Sequence, residues 1–316
     1  IEKILNIISS KIQYFSEAEA EFQGVSAEFM RDKVLGPFIQ YCIQSLLKKD
    51  FEQILRDKIP TGIIVISVEP LFCLKETLER IFPALLAGNV CIVRISEKSA
   101  ITAKLLSEIF MEAGLPAGAV QVLIGSEDLF EMMALHPSVA GVSFIGDSQK
   151  SSALLAKLSE NYKKIQFQGS SKNSVIVLAD FDFKNRMSEV LEPFLMGMGR
   201  SHWNGARIFI VESMREAFLE SLKSYLNQLN AAKNCHSQNS YWPLLKNEAI
   251  EFGQYISEVS AEHGKTIQSE SGTQAPVFTV DLTNCSTKQQ DALKLPLFII
   301  STVKDQHEIS KWVTTS

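Results

Sequence analysis

The stretch best equipped for chemistry reads Gly197-Met198-Gly199-Arg200-Ser201-His202-Trp203-Asn204-Gly205-Ala206-Arg207-Ile208-Phe209-Ile210-Val211. Gly197, Gly199 and Gly205 permit a sharp turn and a close backbone approach, and residues 208–211 read as a buried strand. A turn of this kind presents His202, a titratable side chain, at its junction with the strand. A blander arrangement uses the same residues: a helix ending at glycine, an ordinary core strand, and His202 as a solvated loop residue. Further candidates stand at the ends of apolar runs: Arg94 with Glu97, Gly125, Gly146 with Asp147, and Gln168 before Gly169. Taken alone, Arg94 and Glu97 also read as an exposed ion pair, Gly125 as a simple turn and Asp147 as a helix cap. His236 and His263 lack carboxylate or cysteine partners at metal-ligand spacing, so no metal site is expected.

The elements that would position these residues alternate. Residues 1–58 carry apolar side chains at helical spacing, as in Ile4, Leu5, Ile8 and Ile12. Residues 63–68 follow as a continuous apolar run suited to a strand covered on both faces. A helix over 74–86, a strand over 90–93, a helix over 100–113 and strands over 120–124 and 139–144 continue the pattern. Strands over 164–167 and 175–178 come next, then a helix over 183–196. The expectation is a doubly wound, mostly parallel α/β sheet, with a second α/β layer beginning near residue 185. It continues as a strand over 207–211, helices over 215–229 and 247–263, and a strand over 276–281. Residues 234–240 and 268–274 read as exposed loops.

Composition limits the partners. The 316 residues are 46% hydrophobic and 21% charged with a net charge of −5, which is ordinary for a globular protein of two domains. No run of five Lys or Arg offers a basic patch, so nucleic acid is not an expected partner. No apolar run approaches the roughly 18 residues that span a bilayer, and no secretory pattern is present. Cys42, Cys73, Cys91, Cys235 and Cys285 show no CxxC spacing and read as reduced thiols of a cytoplasmic, intracellular protein.

In order and spacing, several segments resemble the aldehyde dehydrogenase superfamily over about residues 60–316. Residues 60–66 (PTGIIVI) resemble its entry strand, 82–90 (FPALLAGNV) its "PALAAGN" helix end, and 94–97 (RISE) its "KPSE". The segment 112–118 (EAGLPAG) is the most literal match. His136-Pro137 to Asp147 resembles "HP…FTGS", 168–172 (QGSSK) resembles "ELGGK", and 199–207 resembles "GQxCxxxxR". The resemblance implies a dinucleotide-binding-type domain over 1–183 and a catalytic-type domain over 184–316. It also implies truncation at the C-terminus relative to the family, without the usual bridging strand or familiar tetramer.

The same correspondence implies that the chemistry is missing. Family members attack an aldehyde with a cysteine thiolate, pass hydride to the nicotinamide and hydrolyse the thioester with glutamate-activated water. His202 occupies the nucleophile position, and its adduct with an aldehyde would be a labile hemiaminal. Gln168 occupies the base position, and an amide cannot take a proton from water at neutral pH. Pro70 stands where an asparagine amide would stabilise the oxyanion, and proline has no donor. A slip of one or two residues puts Glu69 or Leu71 there, with no better result.

For the cofactor, the resemblance aligns Arg94 and Glu97 with groups that contact the adenosine ribose, and Gly125 and Gly146 with cofactor-side turns. Asp147 replaces the serine of "FTGS", placing a carboxylate at a helix N-terminus where a pyrophosphate would sit; that repulsion is on the order of several kcal/mol. Residues 291–297 stand where the family has "EExFGPV" and lack its ribose-binding glutamate. NAD or NADP binding is therefore expected to be weak or lost. The reading is a pseudoenzyme with a binding or scaffold role, its partner another protein or a second copy. The alternative is a divergent NAD(P)-dependent oxidoreductase acting on an aldehyde or acyl derivative.

Overall fold

The computed structural model describes residues 1–23, 25–46, 53, 55–146, 148–169, 173–195, 201–231, 240–241, 278–281, 297–304 and 308–309. The polypeptide divides into two compact units, Ile1–Ser170 and Ser171–Ser316.

The first unit opens with helices α1 (Glu2–Ser10) and α2 (Ile12–Gln23). A helical run follows through Ala27–Phe29, the π-type Met30–Leu35, Gly36–Tyr41 and the π-type Cys42–Leu46. These bury the apolar positions that repeat at helical spacing, including Ile4, Leu5, Ile8, Phe15 and Phe38. Strand β1 (Ile63–Ser67) then begins a regular alternation: helix α3 (Cys73–Leu86), β2 (Val90–Ile95), α4 (Ala100–Ala113), β3 (Val120–Ile124), α5 (Glu127–Leu135), β4 (Val139–Gly146), α6 (Ser148–Glu160) and β5 (Lys164–Gly169). The sheet has the order β3-β2-β1-β4-β5, and all four pairings are parallel. Consecutive residues Val65 and Ile66 of β1 are both fully buried, so both faces of the sheet are covered. The helix pairs α3 with α4, and α5 with α6, are in mutual contact. The path moves outward from β1 to β3 and returns to β4 on the other side of β1, which makes the β1/β4 boundary the topological switch point.

Two of the segments that carry the family resemblance acquire a physical reason here. Gly88, after α3, has φ 77°, and a Cβ there would lie 2.8 Å from Pro60 Cγ. The neighbouring Asn89 Oδ1 accepts hydrogen bonds from the backbone N–H of Thr61 (2.7 Å) and Gly62 (3.0 Å), while its Nδ2 donates to Ala84 O. The end of α3 is thus fastened to the entry of β1, which sets the parallel register Ile63 to Val90. Gly114 closes α4 at φ 68° with a 6→1 bond from Leu115 N to Phe110 O, the reason for a glycine at the start of the next segment.

The second unit contains β6 (Asn173–Val177), α7 (Met187–Leu195), β7 (Gly205–Val211), α8 (Arg215–Gln228), the short paired strands β8 (Asn230–Ala231) and β9 (Ser240–Tyr241), β10 (Phe278–Asp281) and β11 (Leu297–Val303). Its sheet runs β10-β11-β7-β6, again parallel throughout. Ile208 and Ile210 face the core made by α7 and α8, while Phe209 packs on the other side with Val303 and Ile309.

Three expectations change. The division falls at 170/171 rather than 183/184, because β6 pairs with β7 of the second sheet. Helix α7 begins at Met187, after turns that follow Leu178. Strand β11, not anticipated, is central in the second sheet. The helix expected over 247–263 lies outside the described residues. So do the loops over 234–240 and 268–274, apart from Ser240. Among the described residues, no helix is long and apolar enough to cross a membrane.

Candidate functional site

In an open parallel sheet, the loops after the strand carboxyl ends form the ligand crevice. Most of the sequence candidates of the first unit gather there: Pro70 after β1, Arg94 at the end of β2 with Glu97 beyond it, Gly125 after β3, Gly146 ending β4, and Gln168 in the last residues of β5. The registers Ser67 to Arg94, Arg94 to Leu123 and Ile145 to Gln168 align these ends. A cavity of about 420 Å³ near Pro60, Val139 and Lys164 lies at the opposite, amino end.

Gln168 is held from α3. Its Oε1 accepts a hydrogen bond of 2.8 Å from an Arg80 terminal nitrogen. The other terminal nitrogen pairs with Glu76 Oε2 at 2.8 Å and also bonds Glu76 O. Both charged side chains are almost wholly buried, at 5% and 6% exposure, so the ion pair is a fixed part of the fold. A guanidinium has donors only, so the amide oxygen must face it and the NH2 must face away. The position therefore presents a donor, with its acceptor already engaged.

Arg94 is also turned inward. Its Nε donates to Gly125 O (2.9 Å) and Ser126 O (3.1 Å), and one terminal nitrogen reaches Ser67 Oγ at 3.3 Å. Burial lowers its pKa, the effect of Glu127 opposing this as the next cause. The side chain braces the carboxyl ends of β1, β2 and β3 instead of lying in an exposed ion pair, and Glu97 is exposed in the turn Glu97–Ser99. This geometry fits a dinucleotide only in part. The crevice is at the switch point, but the arginine expected at the ribose commits its Nε to the carbonyls of Gly125 and Ser126 and one terminal nitrogen to Ser67. Asp147 and residues 291–296 lie outside the described residues.

Pro70 is half-buried, and its carbonyl accepts from Ser99 Oγ at 3.0 Å. The loop it occupies ends at Phe72, in the left-handed region at φ 53°. Leu71, the neighbouring candidate, is buried with an apolar side chain.

In the second unit, His202 is 4% exposed, which corrects the solvated-loop alternative. The turn that buries it is tied by Asn204: its Oδ1 accepts from Ser201 N at 2.7 Å, and its Nδ2 donates to Pro193 O at 2.8 Å. Asn173 Nδ2 donates to Trp203 O at 2.7 Å. At Gly205 a Cβ would lie 3.0 Å from the Phe194 ring, so this glycine lets β7 start against α7. Ser201, His202, Asn204 and Arg207 form a run of buried polar side chains.

No replacement thiolate is offered by Cys42, Cys73 or Cys91. All three are buried, and desolvation pushes Cys42 and Cys91 up to about 12 and Cys73 upward as well. Cys235 and Cys285 lie outside the described residues, as do His236 and His263. Sequence reasoning missed Arg80, Glu76 and Asn204. The i,i+4 spacing of Glu76 and Arg80 was a visible signal, but Gln168 is 88 positions from Arg80.

Against known proteins, the sequence matches the model of the aldehyde dehydrogenase family over residues 3–316. It belongs to that family. Among curated relatives, it is 27% identical over 263 residues to a (Z)-2-((N-methylformamido)methylene)-5-hydroxybutyrolactone dehydrogenase of Acinetobacter baylyi, a match that takes in 83% of this chain and 52% of that protein. It is 25% identical over 238 residues to a betaine aldehyde dehydrogenase of Vibrio vulnificus, a match that takes in 72% of this chain and 49% of the relative. This aldehyde dehydrogenase family member thus spans about half the length of those relatives. In fold it is similar to an aldehyde dehydrogenase from Bacillus cereus solved as an NAD+ complex, with TM-score 0.84 and 16% identity over 99% of this chain and 68% of that one.

Proposed function

We propose that this protein keeps the aldehyde dehydrogenase fold without aldehyde oxidation and serves as a binding or scaffold unit for another protein or a second copy of itself. The observation that carries the reading is the clamp on Gln168. At the position where the resemblance calls for a base, the side chain is an amide whose oxygen is held by Arg80. It cannot take a proton from water at neutral pH, and a charge-assisted bond fixes its orientation. The buried His202 at the nucleophile position and the high-pKa thiols of the described cysteines support the same reading. Cofactor binding is weak or lost on this reading, since the Arg94 brace competes with any ribose for the guanidinium.

The names of the relatives favour a second reading, a divergent NAD(P)-dependent oxidoreductase acting on an aldehyde or acyl derivative. Steady-state assays with small aldehydes and NAD or NADP separate the two. No turnover is expected from the wild type, and His202→Cys should give at most a stable thioester without turnover, seen by intact mass and formed only where added NAD or NADP takes the hydride of the thiohemiacetal. Wild-type turnover abolished by His202→Ala would overturn the pseudoenzyme reading.

A further inference from the structure

The groove at the amino end of the first sheet has no part in the proposed function. It opens where three neighbouring strands begin: Ile59 and Pro60 precede β1, Val139 starts β4, and Lys163 and Lys164 stand at the start of β5. Its volume of about 420 Å³ is that of a small-molecule site. Two ammonium groups stand in its wall. Lys163 Nζ donates to His136 O and to Val139 O, each at 2.7 Å, which fixes the group and leaves one N–H. Lys164 reaches past the start of β4 toward β1, where its Nζ lies 3.4 Å from Thr61 Oγ1 and keeps two N–H groups for other acceptors. Neither lysine pairs with a carboxylate among the described residues, whereas Lys11, Lys75, Lys104 and Lys157 of the same unit each do. Burial lowers the Lys163 pKa, and no carboxylate opposes that shift.

The described residues that line the groove include no acid; Asp57 and Glu160 are near in sequence but do not line it. In a protein of net charge −5 this is a local excess of positive charge, and a cleft walled by one sign of charge concentrates the opposite ion. The rest of the lining is largely apolar. Helix α6 ends in a 6→1 bond from Lys163 N to Leu158 O, with Tyr162 in the left-handed region at φ 53° and its side chain turned out at 97% exposure. Ile59 is likewise 90% exposed. We propose that this groove binds a small aromatic carboxylate, its anion received by Lys164 and Lys163 and its ring laid against Tyr162 and Ile59. The carboxylate supplies charge-assisted acceptors for the remaining N–H groups of the two lysines, and the ring covers apolar surface that otherwise faces water. The groove lies at the opposite end of the sheet from the loops where a dinucleotide would bind, so this site stands whether or not aldehyde chemistry survives.

The test is calorimetric titration of the intact protein with 2-naphthoate, beside 2-naphthamide, which keeps the ring and loses the charge. The carboxylate should bind with a Kd below about 1 mM and the amide roughly tenfold more weakly, a difference set by a hydrogen bond to a charged group. Lys164→Met should weaken 2-naphthoate roughly tenfold and Tyr162→Ala roughly threefold. Lys157→Met, which breaks an exposed pair outside the groove, should leave the affinity unchanged. Amide NMR of the wild type places the ligand without any variant: Thr61, Ala140 and Lys164 should shift with added 2-naphthoate, and Gly125 and Gly146, at the other end of the sheet, should not. No binding by about 10 mM, equal affinity for the amide, undiminished affinity in Lys164→Met, or shifts confined to the carboxyl end would each overturn the proposal. Binding of hexaglutamate without 2-naphthoate would assign the groove to acidic protein segments and overturn it as well.

Discussion

Arg80 can only donate, so whatever stands at position 168 must accept from it. With glutamine there, one lone pair of the oxygen is engaged and the amide is not basic; with glutamate there, the guanidinium 2.8 Å away would form an ion pair and lower the proton affinity of the carboxylate. Assayed with an activated ester, which acylates a cysteine without any hydride acceptor, the double variant His202→Cys with Gln168→Glu should therefore deacylate slowly, only modestly faster than the His202→Cys single variant. Arg80 also matters to stability. Arg80→Met leaves the buried Glu76 with Lys75, at 3.1 Å, as its cation among the described residues, and should cost about 3 kcal/mol, the lower end for breaking a buried pair. Denaturant unfolding checks this, and Glu76→Leu added to Arg80→Met should recover most of the loss.

Elements in this protein are joined by side-chain amides that cap backbone groups far away in sequence. Asn89 ties the end of α3 to the start of β1, Gln23 and Glu19 cap α3 from α2, and Asn204 ties the turn before β7 to Pro193. Asn89→Ala leaves two half-buried N–H groups without their acceptor, so a loss of about 1 to 3 kcal/mol is expected in equilibrium unfolding, with no change in secondary structure content by circular dichroism. Helix and strand periods in the sequence locate the elements because each buries a stripe or a face. They do not locate these ties, because a capping amide on the surface and one spanning 28 positions look alike in sequence. The late start of α7 has a local cause that was legible: Asp182 accepts from Asn185 in a turn ahead of it. Strand β11 is legible too, as the apolar run Leu297 to Ile300, but its overlap with a motif-bearing segment hides it from a reading by motif.

On the scale of the molecule, each unit carries its own parallel sheet and core, and the carboxyl edge of the first sheet is where a dinucleotide would bind. With Arg94 braced inward, NAD or NADP at millimolar concentration should raise the melting temperature by less than about a degree, because stabilisation by a ligand grows only as RT ln(1 + [L]/Kd). A clear shift would show that the edge still receives the cofactor. By itself the sequence determined the α/β class, the order of elements in the first unit and the family. These follow from the period of apolar residues and from short motifs such as Gly88-Asn89, whose backbone requirements are local. The side-chain types at 70, 168 and 202, the positions that the resemblance sets against the family's reactive groups, also need no coordinates. Only the tertiary structure decided what these side chains touch: Gln168 on Arg80, Arg94 on the carbonyls of Gly125 and Ser126, Glu19 on the backbone N–H of Leu74, and His202 buried rather than solvated. The physical reason is that hydrogen bonding and desolvation depend on distances between residues tens of positions apart, and those distances are fixed only when the sheets are assembled.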